Sequence, residues 1–150
     1  MELINKFIGL LRRNFGSDLV SVVLFGSYTT DKHTWDSDID LLVVLDNLPE
    51  NQMIRSELTS EIVSVFNLKH GITISPIFLT RKEAKVTQPF YLDMVSEGQI
   101  LYDRGEFMKK KLEEVRRKLE ELGAKKEKLP DGTIYWNLKP KMKRAGEIEL

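Results

Sequence analysis

A glycine-serine pair and a pair of aspartates stand at the ends of two apolar runs of the chain. Gly26 and Ser27 follow the first run, and Asp38 and Asp40 open the second. Glycine lets the backbone turn sharply and approach a ligand, and the serine after it offers N–H and hydroxyl donors to a phosphate. Aspartates two residues apart on an extended backbone point to one face, where two carboxylates suit Mg²⁺. These four residues predict a site for a metal-bound triphosphate.

The elements that position these residues follow from the spacing of apolar side chains. Short apolar runs predict strands at 19–25, 39–45 and 72–79, with a short last strand at 100–102. Helical spacing predicts helices at 2–15, about 50–66, about 90–97 and 104–122. The second of these helices has Ile54, Leu58, Ile62, Val65 and Phe66 on one side. Pro76 favours an edge strand or a bulge in the third run, and Thr80 with Glu83 resembles a capping box.

This order of elements predicts an α/β (α+β) fold, in which helices flank a small mixed β-sheet. We expect a core domain over residues 1–103. Residues 104–150 are expected to form a basic amphipathic helix and a C-terminal tail. Apolar residues of that helix step by four and three from Met108 to Leu122, which suits packing on the core or on a second chain. A homodimer through this helix therefore stays open.

Composition and charge narrow the class of protein. The chain has no cysteine, which excludes disulfides and thiolate zinc sites. No apolar run approaches the roughly 20 residues that span a bilayer, and the start lacks a secretory pattern, so we expect a cytoplasmic protein without a membrane partner. Residues 1–103 hold 9 basic and 14 acidic side chains, whereas residues 104–144 hold 14 basic and 7 acidic. The basic part, with Lys139, Lys141, Lys143 and Arg144, suits a phosphate-rich ligand, an acidic partner or simply solvent.

Gly26-Ser27, ten residues, and then Asp38-x-Asp40 entering an apolar strand together resemble the signature of the polymerase-β-like nucleotidyltransferase superfamily, especially its minimal members. The resemblance implies the nucleotidyltransferase fold. It also implies transfer of a nucleoside monophosphate, from ATP or another triphosphate with Mg²⁺ (or Mn²⁺), to a hydroxyl of a protein, RNA or small molecule. Asp38 and Asp40 would be catalytic and bind the metal, and Gly26, Ser27 and Tyr28 would bind the nucleotide phosphates. Tyr28 is equally compatible with a surface position.

The third carboxylate that the family usually carries on the next strand has no counterpart in this sequence. Ser75 or Thr73 takes its place, and a hydroxyl is a weaker Mg²⁺ ligand than a carboxylate. Asp36, Asp46 or Asp93 would have to compensate from another direction.

Three functional hypotheses therefore stay open. The chain is an active nucleotidyltransferase, or a nucleotide-binding module without fast chemistry. The third hypothesis, which the resemblance implies, is an antitoxin-like partner of a small helical (HEPN-type) ribonuclease.

Overall fold

A computed structural model describes residues 2–29 and 37–138 of the chain. Its helices in chain order are α1 (Glu2–Phe15), α2 (Gln52–His70), α3 (Arg81–Ala84), α4 (Tyr91–Glu97) and α5 (Phe107–Leu122). Its strands are β1 (Leu19–Phe25), β2 (Ile39–Leu45), β3 (Ile74–Thr80), β4 (Gln99–Asp103), β5 (Lys125–Lys128) and β6 (Ile134–Asn137). Single 3₁₀ turns occupy Gly16–Asp18, Gly26–Thr29 and Arg104–Glu106.

Four strands form the mixed sheet that the sequence predicts, in the order β3-β2-β1-β4. The central strand β1 runs antiparallel to both β2 and β4, and β2 runs parallel to β3. Pro76 lies on β3, at an edge of the sheet, which confirms the prediction made from its missing N–H. The two central strands are apolar on both faces because helices cover both.

The core is divided by the sheet into two layers. On one face, α1 packs with Phe66 of α2, whose ring meets that of Phe7 edge-on at 5.2 Å. On the other face, α3, α4 and α5 contribute buried residues to a second cluster. Residues 39, 41, 43 and 45 of β2 belong to the first layer, and Leu42 and Val44 to the second. The alternation assigns Asp40 to the face that α3, α4 and α5 cover.

Helix α2 corrects the sequence interpretation of its apolar side. The helix begins at Gln52, because Asn51 caps it by accepting hydrogen bonds from the N–H groups of Met53 and Ile54. It is longer than predicted because it continues to His70, where Gly71 ends it in a left-handed conformation. Phe66 is buried as expected. Ile62 is half-buried, but the prediction is wrong for three other members of the face, which point into solvent: Ile54, Leu58 and Val65. Arg55 and Thr59 are buried in their place, and Arg55 is fixed there by an ion pair with Glu83 at 2.9 Å.

Helix α5 packs its apolar side, from Met108 to Leu119, into the second core layer. After it, β5 and β6 form an antiparallel hairpin, which the sequence analysis did not predict. Trp136 is partly buried against the same layer. The division of the chain at residue 103 stays a prediction, and the basic residues 139–144 lie outside the described residues. None of the described helices is long and apolar enough to cross a membrane.

Candidate active site

The glycine of the Gly26-Ser27 pair brings its backbone directly against an aspartate. Gly26 ends β1 with φ +78°, a left-handed conformation that side chains disfavour. A Cβ atom at this position would lie 2.3 Å from Oδ2 of Asp40. Thr29 closes the turn, since its Oγ1 donates a hydrogen bond of 2.7 Å to the Gly26 carbonyl. Glycine is therefore required here by conformation and by the approach of the carboxylate.

The strand register brings the third-carboxylate position beside Asp40. Asp40 lies opposite Phe25 on β1 and opposite Ser75 on the parallel strand β3. Register partners on neighbouring strands share a face, so Ser75 occupies the face of Asp40. The Ile39 N–H donates to the Thr73 carbonyl at 2.9 Å. Ser75 is the hydroxyl residue beside Asp40, whereas Thr73 lies two residues earlier, toward Asp38.

The carboxylate of Asp38 acts electrostatically on Asp40. Burial and the negative charge of Asp38 raise the pKa of the Asp40 carboxyl. Both causes disfavour the charged form of Asp40. Among the described residues, no cationic side chain lowers the pKa of Asp40 in compensation. Asp38 is exposed and Asp40 is half-buried. A cation bound between the two carboxylates would offset their repulsion, so the residues present fit a divalent metal ion.

The remaining predicted site residues occupy different environments. Ser27 is exposed in the turn. The Tyr28 ring is half-buried and packs against the core layer of α1 and α2, on the sheet face opposite Asp40. This packing agrees better with a structural role for Tyr28, and its part in phosphate binding stays a prediction.

Phe90 and Thr29 stabilise the turn Gly26–Thr29, and the sequence did not predict either role. Phe90 stacks on Phe25 with the ring centroids 5.5 Å apart and the planes 18° apart, which braces the end of β1. Thr29 was also missed, although threonine hydroxyls commonly hydrogen-bond nearby backbone groups in turns. No comparable signal marks Phe90, because its contact with Phe25 joins segments far apart in the chain.

The acids proposed as replacements for the third carboxylate do not supply it among the described residues. Asp46 lies at the opposite end of β2, about 20 Å from Asp40 along the strand. There its carboxylate accepts hydrogen bonds from Arg81 Nε at 2.7 Å and from Arg104 Nη2 at 2.6 Å. These hydrogen bonds, chiefly the one from Arg81, lower the pKa of Asp46. Asp93 is exposed on α4, and no metal-binding group of three acidic or histidine side chains forms within residues 2–29 and 37–138. Asp36 lies outside the described residues.

The mixed sheet, the turn after β1 and the acidic start of β2 define the class of nucleotidyltransferase-fold proteins. Comparisons with known proteins agree. A family profile described as a nucleotidyltransferase domain matches residues 4–142. A relative from Methanocaldococcus jannaschii, named "Putative protein adenylyltransferase MJ1305", is 34% identical over 113 residues, which cover 74% of this chain and 77% of the relative.

Solved structures show the same fold. A toxin–antitoxin pair with AMP-PNP gives a TM-score of 0.53 at 21% identity, over 79% of this chain and 91% of the matched chain. A complex of a tri-AMPylated Shewanella oneidensis HEPN toxin with an MNT antitoxin gives 0.51 at 21% identity, over 81% and 91%. The chain belongs to the nucleotidyltransferase domain family. It is a nucleotidyltransferase, an enzyme that transfers a nucleoside monophosphate from a nucleoside triphosphate.

Proposed function

We propose that this protein transfers the adenylyl group of ATP to a hydroxyl of a small helical protein partner, at a site formed by Gly26, Ser27, Asp38 and Asp40. The observation that carries the proposal is the close approach of the Gly26 backbone to Asp40. A Cβ atom at Gly26 would lie only 2.3 Å from Oδ2 of the Asp40 carboxylate. A ligand held by the turn is thereby beside the acids. Phosphates accept hydrogen bonds from the N–H and hydroxyl groups of such a turn.

Asp38 and Asp40 would hold Mg²⁺ together with the triphosphate oxygens. The bound metal supplies charge neutralisation and alignment of the phosphates. In the transfer, the acceptor oxygen attacks the α-phosphorus while the bond from this phosphorus to the β-phosphate oxygen breaks. Pyrophosphate leaves with the bonding electron pair, and the hydroxyl proton passes to a carboxylate oxygen of the pair. Gly26 and Ser27 orient the phosphates so that the attacking and leaving oxygens lie in line.

The acceptor is proposed from the relatives. The relative from M. jannaschii is named for adenylyl transfer to protein, and one structural neighbour is a complex with an AMPylated HEPN toxin. A hydroxyl on a small helical protein matches both. Because the Ser75 hydroxyl is a weaker metal ligand than a carboxylate, we expect a slower reaction than a third acid at this position would give.

A titration of Mg²⁺-ATP into the wild type and the Asp38→Ala and Asp40→Ala variants tests the site. We expect at least a tenfold loss of affinity in each variant, because each removes one of two carboxylate ligands. Glu121→Ala, an exposed acid on α5, is the matched control and should bind as the wild type does. Equal binding by all four proteins would reject the site.

A second experiment examines the third position. Ser75→Asp should raise Mg²⁺ affinity or turnover, since it adds a carboxylate beside Asp40. Thr73→Asp adds the same charge nearer to Asp38 and serves as the comparison. If only Thr73→Asp gains affinity, or if neither does, Ser75 does not occupy the third-ligand position. Incubation with ATP and a cell extract, followed by mass spectrometry, then identifies which protein gains an adenylyl group.

A further inference from the structure

Helix α2 presents an apolar seam to solvent. Ile54, Leu58, Val65 and Leu68 are 54%, 41%, 63% and 88% exposed. With Glu61, which is also exposed, they follow one another at steps of four, three, four and three residues. This is the spacing of a seam that packs against another helix. These five residues are named the α2 seam.

The exposure of the α2 seam follows from how α2 packs on its own domain. Arg55, Thr59 and Phe66 are the buried residues of the helix, and they lie about a third of a turn away from the seam. The Arg55–Glu83 ion pair and the Phe7–Phe66 ring contact fix that orientation. Four large apolar side chains in one exposed row are uncommon on a monomer and mark an interaction surface.

A second copy of the chain is a poor occupant of this surface. Full burial of the apolar residues in an antiparallel pair sets Ile54 against Leu68 and Leu58 against Val65 of the other copy. That register places Glu61 against Glu61 at the two-fold axis. A parallel pair in register also sets Glu61 against Glu61. Both symmetric arrangements therefore bring two carboxylates together inside an apolar interface, which is strongly unfavourable.

We propose that the α2 seam docks an amphipathic helix of a different protein, whose apolar seam carries a lysine or arginine at its centre. Residues 54–68 span about 21 Å, so a partner helix of about 15 residues covers them. The four apolar residues supply the contact area. Glu61 selects the cation at the centre and disfavours self-pairing, as single polar residues do in helix seams.

The inference gives the helical partner proposed above a surface to dock on, but it does not depend on nucleotide transfer. The α2 seam is built without any of the residues assigned to the nucleotide site. Its tests contain no nucleotide, so their failure and the failure of the proposed reaction are separate results.

Two synthetic helical peptides of about 15 residues probe the seam. They share the same leucine seam and differ only at the centre, which is lysine in one and glutamate in the other. Fluorescence anisotropy with the full chain should show at least tenfold tighter binding of the lysine peptide. Glu61→Lys should reverse the preference, and Glu121→Lys, the same change on α5, should leave it unaltered. Absence of binding, or binding without a preference that Glu61 controls, would overturn the proposal.

Glu61→Leu provides a test that needs no peptide. The variant joins the apolar residues into one continuous row, so it should self-associate at least tenfold more tightly than the wild type by analytical ultracentrifugation. Circular dichroism of the Glu61→Leu variant checks that it folds as the wild type does. A wild type that already dimerises through the α2 seam, or a folded Glu61→Leu variant that associates no better than the wild type, would contradict the role of Glu61.

Discussion

Gly26→Ala separates the two demands that the structure places on this glycine. The first is conformational: φ is +78°, and a left-handed alanine costs about 1–2 kcal/mol. The second is steric, since the alanine Cβ would lie 2.3 Å from Oδ2 and 3.1 Å from Cγ of Asp40. The carboxylate ends a side chain and can rotate away, so the steric demand removes Asp40 from its position more than it unfolds the protein. We expect a stability loss of about 1–2 kcal/mol and at least a tenfold loss of Mg²⁺-ATP affinity, which equals about 1.4 kcal/mol.

Gly16→Ala is the matched control for this prediction. Gly16 also has a left-handed conformation, with φ +53°, but a Cβ there meets nothing within 4 Å. Urea denaturation should show similar destabilisation of both variants, while calorimetric titration should show lost nucleotide affinity only in Gly26→Ala. If Gly26→Ala binds Mg²⁺-ATP as tightly as Gly16→Ala does, the contact between the turn and Asp40 has no role in the site.

Two further predictions concern charges. Asp40→Asn should raise the free energy of unfolding of the metal-free protein at pH 7, because it removes a half-buried charge beside Asp38. The variant should also lose the stabilisation that Mg²⁺-ATP gives the wild type. Lower thermal stability of the metal-free variant than of the wild type would refute the first expectation. At Glu83, burial raises the pKa, but hydrogen bonds from Thr80 and Arg55 outweigh this effect, so the pKa lies below that of a free glutamate. The stabilisation is present above the pKa of a free glutamate and is lost as the pH falls through the lower pKa of the folded protein. Because solvent screens this 37% exposed carboxylate, Glu83→Gln should cost only about 1 kcal/mol at pH 7, and it should flatten the acid limb of a urea-denaturation series. An unchanged acid limb would exclude this carboxylate.

The sequence predicts the sheet well because its signals are local and redundant. The apolar runs that became β1, β2 and β3 are bounded by Gly26, Asp38 and Gly71, so their ends are visible in the chain. The capping box of Thr80 and Glu83 is also local, and both of its bonds form, with Thr80 N–H donating at 2.8 Å and Glu83 N–H at 3.1 Å. The resemblance to the nucleotidyltransferase signature, together with the strand context, supported placing the two aspartates near the turn.

The sequence fails on α2 because several faces of this helix carry apolar residues. Periodicity cannot choose between the row of Leu58 and the row of Phe66 when both are apolar. Residues far away in the chain determine which face is buried, because Arg55 forms an ion pair with Glu83 and the ring of Phe66 packs against that of Phe7. The hairpin of β5 and β6 was missed for a different reason: all four residues of β5 are charged, so no apolar alternation marks that strand.

Ser75 links the stability of the site to its chemistry. Neighbouring strands lie about 4.8 Å apart, so an aspartate at position 75 would place its charge about 5 Å from that of Asp40. At an effective dielectric constant near 20 this repulsion is about 3 kcal/mol, and solvent at the half-exposed site reduces it to about 1–3 kcal/mol. Ser75→Asp should therefore destabilise the metal-free protein by that amount and recover the loss in saturating Mg²⁺. Thermal denaturation with and without chelator measures both quantities. An unaltered metal-free stability would show that position 75 does not face Asp40, whereas a loss that Mg²⁺ leaves uncorrected would show that the three oxygens do not converge on one metal ion.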